Sequence, residues 1–368
     1  MTVFSITDHE CMARALQLAA QGITSTHPNP RVGCVLWRDG KVVGEGWHRA
    51  AGDAHAEINA LADAGDSAKG ATAYITLEPC AHHGRTGPCS SALIEAGVSR
   101  VVAAMQDPFT AVGGQGFAAL RAAAVQVEVG LMAAAARSLN AGFLSRIERG
   151  TPFVRLKIAT SLDGATAMLS GASQWITSEP ARADVQRWRA RSDAILTGSG
   201  TVIADDPALT FRDGRLGRAA PLRVIVDSTL QTPPTSQLVT DGISTLLCCT
   251  NDAKRALLER DAVEVVKLGY GQGGVSLAEV LTELASRQIN EVLVEAGPRL
   301  AGAFIEQGLV DELVIYQAPH IMGSETARLA ATPAWQRLQD RLQLEVIDRR
   351  LVGPDLRIIA RPAKRSSQ

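Results

Sequence analysis

At 368 residues, with 46% hydrophobic and 20% charged positions, the chain has the composition of a soluble globular protein and the length for two cores. Its formal net charge of −1, with acids and bases scattered along it, leaves no basic stripe of the kind that tracks a nucleic-acid backbone. No basic-then-apolar leader is visible, no apolar run approaches the roughly 18 residues that span a bilayer, and the six cysteines lack disulfide-framework spacing, so a reducing cytoplasm is the expected compartment.

Thr7-Asp-His-Glu10 has the form of a capping box and predicts a helix through Ala19. Beyond the Pro/Asn loop at 27–30, strands are predicted over 32–37 and 41–46, joined by Asp39-Gly40, a strong two-residue hairpin signal. Helix then alternates with strand. Helices are expected at 55–64, 89–96 and 117–123, strands at 71–77, 100–105 and 125–129, and a last helix at 133–148. That order predicts a partly parallel sheet with helices on both faces.

Gly150-Thr-Pro152 follows a complete sheet-and-helix unit and precedes a fresh strand, which divides the chain into domains 1–149 and 150–368. The second part alternates again. Strands are predicted at 153–159, 195–198, 223–227, 245–250, 263–267, 291–296, 312–318 and 356–360, with helices at 180–191, 277–287 and 298–307. Adjacent Cys248 and Cys249 fall in an apolar strand and read as small core residues.

His55-Ala-Glu57 opens a predicted helix, Glu78-Pro-Cys80 follows the next strand, and Cys89 opens the next helix. A lone histidine or cysteine is more often a core or surface residue than a ligand; the combination carries the weight. Catalytic zinc takes three protein ligands and keeps a fourth position for water. His55, Cys80 and Cys89 supply such a set, near helix N-termini where the dipole favours thiolates. Zinc there would lower the pKa of water towards about 7. Glu57, two residues from His55, would carry the proton to a ring nitrogen and on to departing ammonia. A structural zinc site would present four protein ligands, and no fourth is spaced for one.

The order His-x-Glu then Pro-Cys is that of zinc deaminases, whose two cysteines are normally separated by two residues. Here eight intervene, Ala-His-His-Gly-Arg-Thr-Gly-Pro, and His82, His83 and Arg85 on this polar insertion become candidates for holding substrate.

The second half lacks Gly-x-Gly-x-x-Gly after its first strand, which argues against a Rossmann fold. It offers instead Glu295-Ala-Gly-Pro-Arg-Leu-Ala-Gly302, a strand ending in glycine with proline in the first helical turn. Free amides at such a helix start can hold a pyrophosphate, although most turns of this kind are plain connections. On their residue types alone, Arg189 reads as a solvated helix face, Arg212 as a loop charge and Trp175 equally well as a core anchor.

His27-Pro-Asn-Pro-Arg-Val-Gly33, His55-Ala-Glu57 and the run from Glu78 to Cys89 together resemble the RibD family of riboflavin biosynthesis. Ser161-Leu-Asp-Gly164, Ser173-Gln-Trp-Ile-Thr177, Ala204-Asp-Asp-Pro-Ala-Leu-Thr210 and Glu295–Gly302 extend the resemblance over about Thr7 to Arg361. It implies an α/β chain with a cytidine-deaminase-like three-layer domain followed by a dihydrofolate-reductase-like domain. It also implies two consecutive reactions, a Zn2+-dependent deamination of 2,5-diamino-6-ribosylamino-4(3H)-pyrimidinone 5′-phosphate and an NADPH-dependent reduction of the product's ribosyl group to ribityl.

Carried over by resemblance, Asn29 and His48 join His82 and Arg85 on the first substrate. NADPH meets Ala159, Trp175, Thr201, Asp205, Ser228 and the backbone of Gly297, Pro298, Arg299, Leu300, Ala301, Gly302 and Ala303. The second substrate meets Ser173, Arg189, Leu209, Arg212 and Glu295, with Lys157 on the opening strand as a further candidate. Asp205 is equally a candidate proton donor. The expected partners are small phosphoribosyl-pyrimidines, neither nucleic acid nor membrane, in a homo-oligomer. Three rivals share parts of this pattern: a deaminase of bases within nucleic acid, a deaminase with a passive C-terminal module, and a non-enzymatic zinc protein.

Overall fold

Asp39 and Gly40 both take positive φ, 51° and 82°, and turn β1 (Gly33–Arg38) back onto β2 (Lys41–Trp47) as the sequence predicts. The computed structural model describes residues 3–81, 87–211 and 220–363. The chain divides into two compact units, Met1–Gly150 and Thr151–Gln368.

In the first unit β3 (Thr72–Ile75), β4 (Arg100–Ala103) and β5 (Gln126–Val129) complete a sheet of order β2-β1-β3-β4-β5. β1 is antiparallel to both neighbours, whereas β3, β4 and β5 run parallel. Alternating residues of β1 face opposite layers. Cys34 and Leu36 pack on α2 (Ala56–Ala64), α3 (Cys89–Glu95) and α4 (Gln115–Ala122). Val35 packs on the other side with α1 (Ile6–Ala20), α5 (Ala133–Leu139) and α6 (Ala141–Arg149). The alanine face of α2 lies hard against β2: a Cβ on Gly46 would come within 2.3 Å of the Ala56 carbonyl. That close approach sets where the N-terminus of α2, and so His55, must sit.

Two expectations shift here. The capping box is Ser5 with Asp8, not Thr7 with Glu10, and α1 begins at Ile6. Asp8 wins because Tyr74 (2.8 Å) and Arg100 (2.6 Å) bind the same carboxylate from inside the unit. The predicted helix over 133–148 is two helices, parted at Asn140. The Asn140 side chain accepts from the Arg31 amide (2.7 Å) and donates to the Arg31 carbonyl (2.9 Å).

The second unit holds a nine-stranded sheet. Its strands are β6 (Phe153–Thr160), β7 (Ala194–Gly198), β8 (Leu222–Val226), β9 (Thr245–Cys249), β10 (Val263–Lys267), β11 (Glu291–Glu295), β12 (Glu312–Gln317), β13 (Leu344–Val352) and β14 (Asp355–Pro362). The order is β10-β9-β8-β7-β11-β6-β12-β14-β13. It is parallel from β10 to β12 and antiparallel in the closing pair. Helices Leu277–Ser286 and Pro298–Glu306 cover one face, and Glu179–Arg191 packs through Val185 and Trp188 on Leu293, Val314 and Tyr316. Cys248 and Cys249 are fully buried, in the cores of opposite faces.

β13 is not predicted from sequence, because most of its residues are exposed and its charged positions break any alternation. Among the described residues no helix is long and apolar enough to cross a membrane.

Candidate active sites

His55 is the N-cap of α2, with extended backbone (φ −70°, ψ 165°), and Cys89 is the first residue of α3. Cys80 lies on the connection that leaves β3. These three elements bring His55 Nδ1, Cys80 Sγ and Cys89 Sγ within 4.8 Å of one another. The imidazole nitrogen stands 3.2 Å from the Cys89 sulfur and 3.6 Å from that of Cys80. Zn–S and Zn–N bonds of about 2.3 and 2.0–2.1 Å in a tetrahedron require donor separations of roughly 3.5–3.8 Å, so the set fits zinc.

The electrostatics agree. The Cys80 thiol is drawn down to about 4 by the hydrogen bond with the Cys89 thiol, then by His55 and by the Cys89 amide, whose nitrogen is 3.3 Å from the sulfur. Cys89 is pushed the other way by the same shared proton and by burial. Zinc binding would take both cysteines as thiolates, with release of their protons.

Glu57, in the first turn of α2, is 3% exposed. Burial pushes its carboxyl up to about 7, against hydrogen bonds from its own amide and the Cys89 thiol. His48 packs edge-on against His55 with ring centroids 5.5 Å apart. Its Nδ1 lies 3.2 Å from the Ala54 carbonyl, which can only accept, so Nε2 is left to accept from Asn29 Nδ2 at 3.1 Å. Burial lowers the pKa of this histidine and favours that neutral form. Asn29 and His48 thus form a hydrogen-bonded pair whose histidine packs on His55; His82, His83 and Arg85 lie outside the described residues.

In the second unit a cavity of about 1610 Å³ opens at the C-terminal ends of the parallel strands. Ser173, Arg189, Leu209 and Glu295 line it, as do Ala159, Trp175, Thr201, Asp205 and Ser228. Arg189 donates from Nε and Nη2 to the two Glu295 oxygens (2.6 and 3.0 Å) and from Nη1 to the Thr210 carbonyl (2.9 Å). Lys157 pairs in register with Glu295 across β6 and β11 and also faces the cavity. Burial lowers the Lys157 pKa, with Glu295 opposing and Arg189 assisting. Burial likewise works against an ionised Glu295, but Arg189 and Lys157 outweigh it and hold this carboxyl below the usual range.

Trp175 is 70% exposed, with the Arg182 guanidinium 4.5 Å from its ring centroid, so it is no core anchor. Gly297 caps the helix Pro298–Glu306, and its start opens into the cavity at Gly297, Pro298, Arg299, Leu300 and Ala303. Ala301 and Gly302 are not among the residues that line the cavity. The helical turn carries Ala301 into the core beside Phe304, and a Cβ on Gly302 would lie 2.1 Å from the Ala331 carbonyl. Arg212 lies outside the described residues. Gln231, Gln237 and the Gln272–Gly274 ribbon also line the cavity and were not singled out from sequence. Two-residue strands and isolated glutamines leave no periodic signal; a glycine-rich run at 271–274 is the one trace.

A three-donor cluster with a buried carboxylate, on a sheet covered on both faces, defines a zinc-dependent deaminase; the cavity at the ends of a parallel sheet defines a second, separate site. Residues 5–105 match the cytidine and deoxycytidylate deaminase zinc-binding region, and residues 152–356 match the RibD C-terminal domain. The riboflavin biosynthesis protein RibD of Escherichia coli is 48% identical over 360 residues, 95% of this chain and 98% of that protein. RibD of Haemophilus influenzae is 44% identical over 373 residues, covering 98% of this chain and 99% of its own length. The structure of Acinetobacter baumannii RibD superposes with a TM-score of 0.89 at 40% identity, covering 97% of this chain and 99% of that one. A diaminohydroxyphosphoribosylaminopyrimidine deaminase/5-amino-6-(5-phosphoribosylamino)uracil reductase from Thermotoga maritima gives 0.86 at 29% identity, with the same coverage.

The chain belongs to the RibD family: it is a bifunctional deaminase and reductase of riboflavin biosynthesis, and zinc and NADPH are its cofactors. Both halves have the folds expected of them, and the passive-module reading of the second half falls away.

Proposed function

We propose that the first domain, 1–149, deaminates 2,5-diamino-6-ribosylamino-4(3H)-pyrimidinone 5′-phosphate. The second, 150–368, then reduces the ribosyl group of the resulting 5-amino-6-(5-phosphoribosylamino)uracil to ribityl. The observation that carries this reading is the convergence of His55, Cys80 and Cys89 beside the buried carboxyl of Glu57. The Thermotoga maritima relative, a deaminase and reductase of this kind, supports the pairing of the two activities in one chain.

His55, Cys80 and Cys89 would hold the zinc, which when bound would supply the acidity that makes water a nucleophile near neutral pH. Glu57 takes the water proton on a carboxylate oxygen, passes it to the ring nitrogen beside the reacting carbon, and moves a second proton to the leaving amine, so that water and the amine become carbonyl and ammonia. Neutral His48, with both ring nitrogens engaged, orients Asn29, whose amide offers its remaining polar atoms to the pyrimidine.

The second cavity would hold NADPH, which when bound would supply the hydride for the ring-opened sugar carbonyl. The backbone N–H groups of Gly297, Arg299 and Leu300 at this helix start would receive the cofactor's pyrophosphate, Pro298 between them having none to give. Arg189 and Lys157 hold the sugar phosphate, their positions fixed by Glu295. Asp205 on the cavity wall is the candidate proton donor to the new alkoxide. A net charge of −1 and cysteines without disulfide spacing support action on free small molecules in a reducing cytoplasm, apart from nucleic acid and membranes, and the family resemblance adds a homo-oligomer to the same proposal.

The test is a coupled assay on zinc-loaded protein with the diaminopyrimidinone phosphate, following ammonia release and NADPH oxidation together, then a run on pre-deaminated substrate. NADPH loss that follows ammonia release supports the whole reading. Ammonia without NADPH loss in either run removes the account of the second site. Turnover of pre-deaminated substrate alone means that the first domain acts on something else.

A further inference from the structure

We propose that Glu78 is a positioning residue of the zinc site, which fixes Cys80 by supplying the N-terminal cap that helix α4 lacks. The proposal rests on the zinc-deaminase reading of the first unit.

α4 opens on Gly114, in the left-handed region (φ 88°), with no side chain to satisfy the helix's free amides. The Glu78 carboxylate, 5% exposed, takes that part from a distant strand connection. Its Oε1 accepts from the amides of Gly116 (2.9 Å) and Phe117 (3.3 Å), and its Oε2 from those of Asp107 (3.1 Å) and Gly114 (2.8 Å). All four hydrogen bonds join one side chain, two residues before Cys80, to the start of α4 and the loop before it. The next residue is clamped as well: a Cβ on Gly116 would lie 1.9 Å from the Pro79 carbonyl.

Cys80 is held from its other side by α3. Its carbonyl accepts from the Ser90 amide and hydroxyl, each at 3.1 Å, and its sulfur faces the Cys89 amide at 3.3 Å. The backbone carrying Cys80 is thus pinned between two helix N-termini, one by Glu78 and one by its own carbonyl and sulfur. Without the first anchor the connection that leaves β3 is held on one side only, and the Cys80 sulfur loses its fixed distance to His55 and Cys89.

The bonding pattern gives a sharp variant. Each oxygen of Glu78 serves two N–H donors, so in Glu78→Gln, although nearly isosteric, the amide nitrogen must face two donors with nothing to accept them. Simple space-filling would tolerate that change; the anchoring role does not. The experiment measures zinc release from the full-length, zinc-loaded protein to a chromophoric chelator, with ammonia release and reductase turnover of pre-deaminated substrate on the same samples. Glu78→Gln is expected to release zinc roughly 10–100-fold faster and to lose deaminase kcat by a similar factor, with reductase turnover unchanged. Gly116→Ala, which leaves the carboxylate intact but drives Pro79 and Cys80 outward, is expected to speed zinc release in the same direction.

Zinc retention and deaminase turnover at wild-type levels in Glu78→Gln overturn the proposal. If Glu78→Gln does not fold, Gly116→Ala decides by the same two readouts. If neither folds, Glu78 supports the domain as a whole and the proposal is again overturned. A wild-type protein that takes up no zinc refutes the underlying deaminase reading instead.

Discussion

Arg189 and Glu295 form a two-pronged ion pair on the wall of the second cavity, Nε to Oε1 at 2.6 Å and Nη2 to Oε2 at 3.0 Å. The arginine is 18% and the glutamate 11% exposed, so each charge depends on the other. Arg189→Met strands Glu295 beside Lys157 and is expected to destabilise the second unit by about 3–5 kcal/mol. Arg189→Lys keeps the charge but not the fork, so its reductase KM is expected to rise at least tenfold with little loss of stability. Steady-state kinetics on pre-deaminated substrate and thermal melts separate the two. An Arg189→Lys enzyme with wild-type KM rules out phosphate holding by the Arg189 guanidinium as Glu295 positions it.

Glu57→Gln keeps the shape of the first site and removes the group that moves protons. Zinc content is expected to stay at one per chain, because Glu57 is not among the three donors, while ammonia release falls by roughly 10²–10⁴-fold. Metal analysis and an ammonia assay on the same preparation check it. Undiminished turnover would take the proton-carrying role away from Glu57.

The first site was legible because its chemistry is local. Each ligand sits at or beside the start of a helix, and helix starts are written in short patterns around His55 and Cys89. The alternation of helices with strands likewise predicted a partly parallel sheet covered on both faces, and in the first unit Cys34 and Val35 do face opposite layers. What escaped was decided across the fold. Asp8 rather than Glu10 completes the cap of α1 because Arg100, 92 residues further on, binds the same carboxylate and holds it in place. The break at Asn140 answers to the backbone of Arg31, and β13 is held by its partner β14 rather than by a buried face. In the second half the individual arginines were silent. Nothing around Arg189 in sequence announces Glu295, 106 positions later.

Removing zinc separates the two activities. The three donors all belong to the first unit, and the second cavity is lined by residues from Lys157 onward. Dialysis against a strong chelator, or Cys80→Ser, is expected to abolish ammonia release while reductase turnover of pre-deaminated substrate stays within about twofold. Zinc added back restores the chelated enzyme but not the Cys80→Ser variant. Loss of both activities on chelation would place a metal requirement in the second half as well.

Asp8 provides a pH-dependent test of how α1 is held. Burial alone would raise its carboxyl, but hydrogen bonds from Arg100, Ser5 and Tyr74 outweigh burial and hold it well below the usual 3.8. A carboxyl whose folded pKa is depressed adds stability above its unfolded value and loses it as pH falls through the folded one. Asp8→Asn forgoes that contribution at every pH, although Arg100 keeps Glu128 as a partner. The variant is therefore expected to be less stable than the parent by about 1.5–3 kcal/mol at pH 7. The gap should hold down to about pH 4 and narrow below 3.8. Urea unfolding of the full chain, read by hydrogen exchange of peptides from Ile6–Ala20, isolates this helix from the second unit. A gap that stays constant between pH 7 and pH 3 would mean that Asp8 acts through packing, since only the charged form can gain from Arg100.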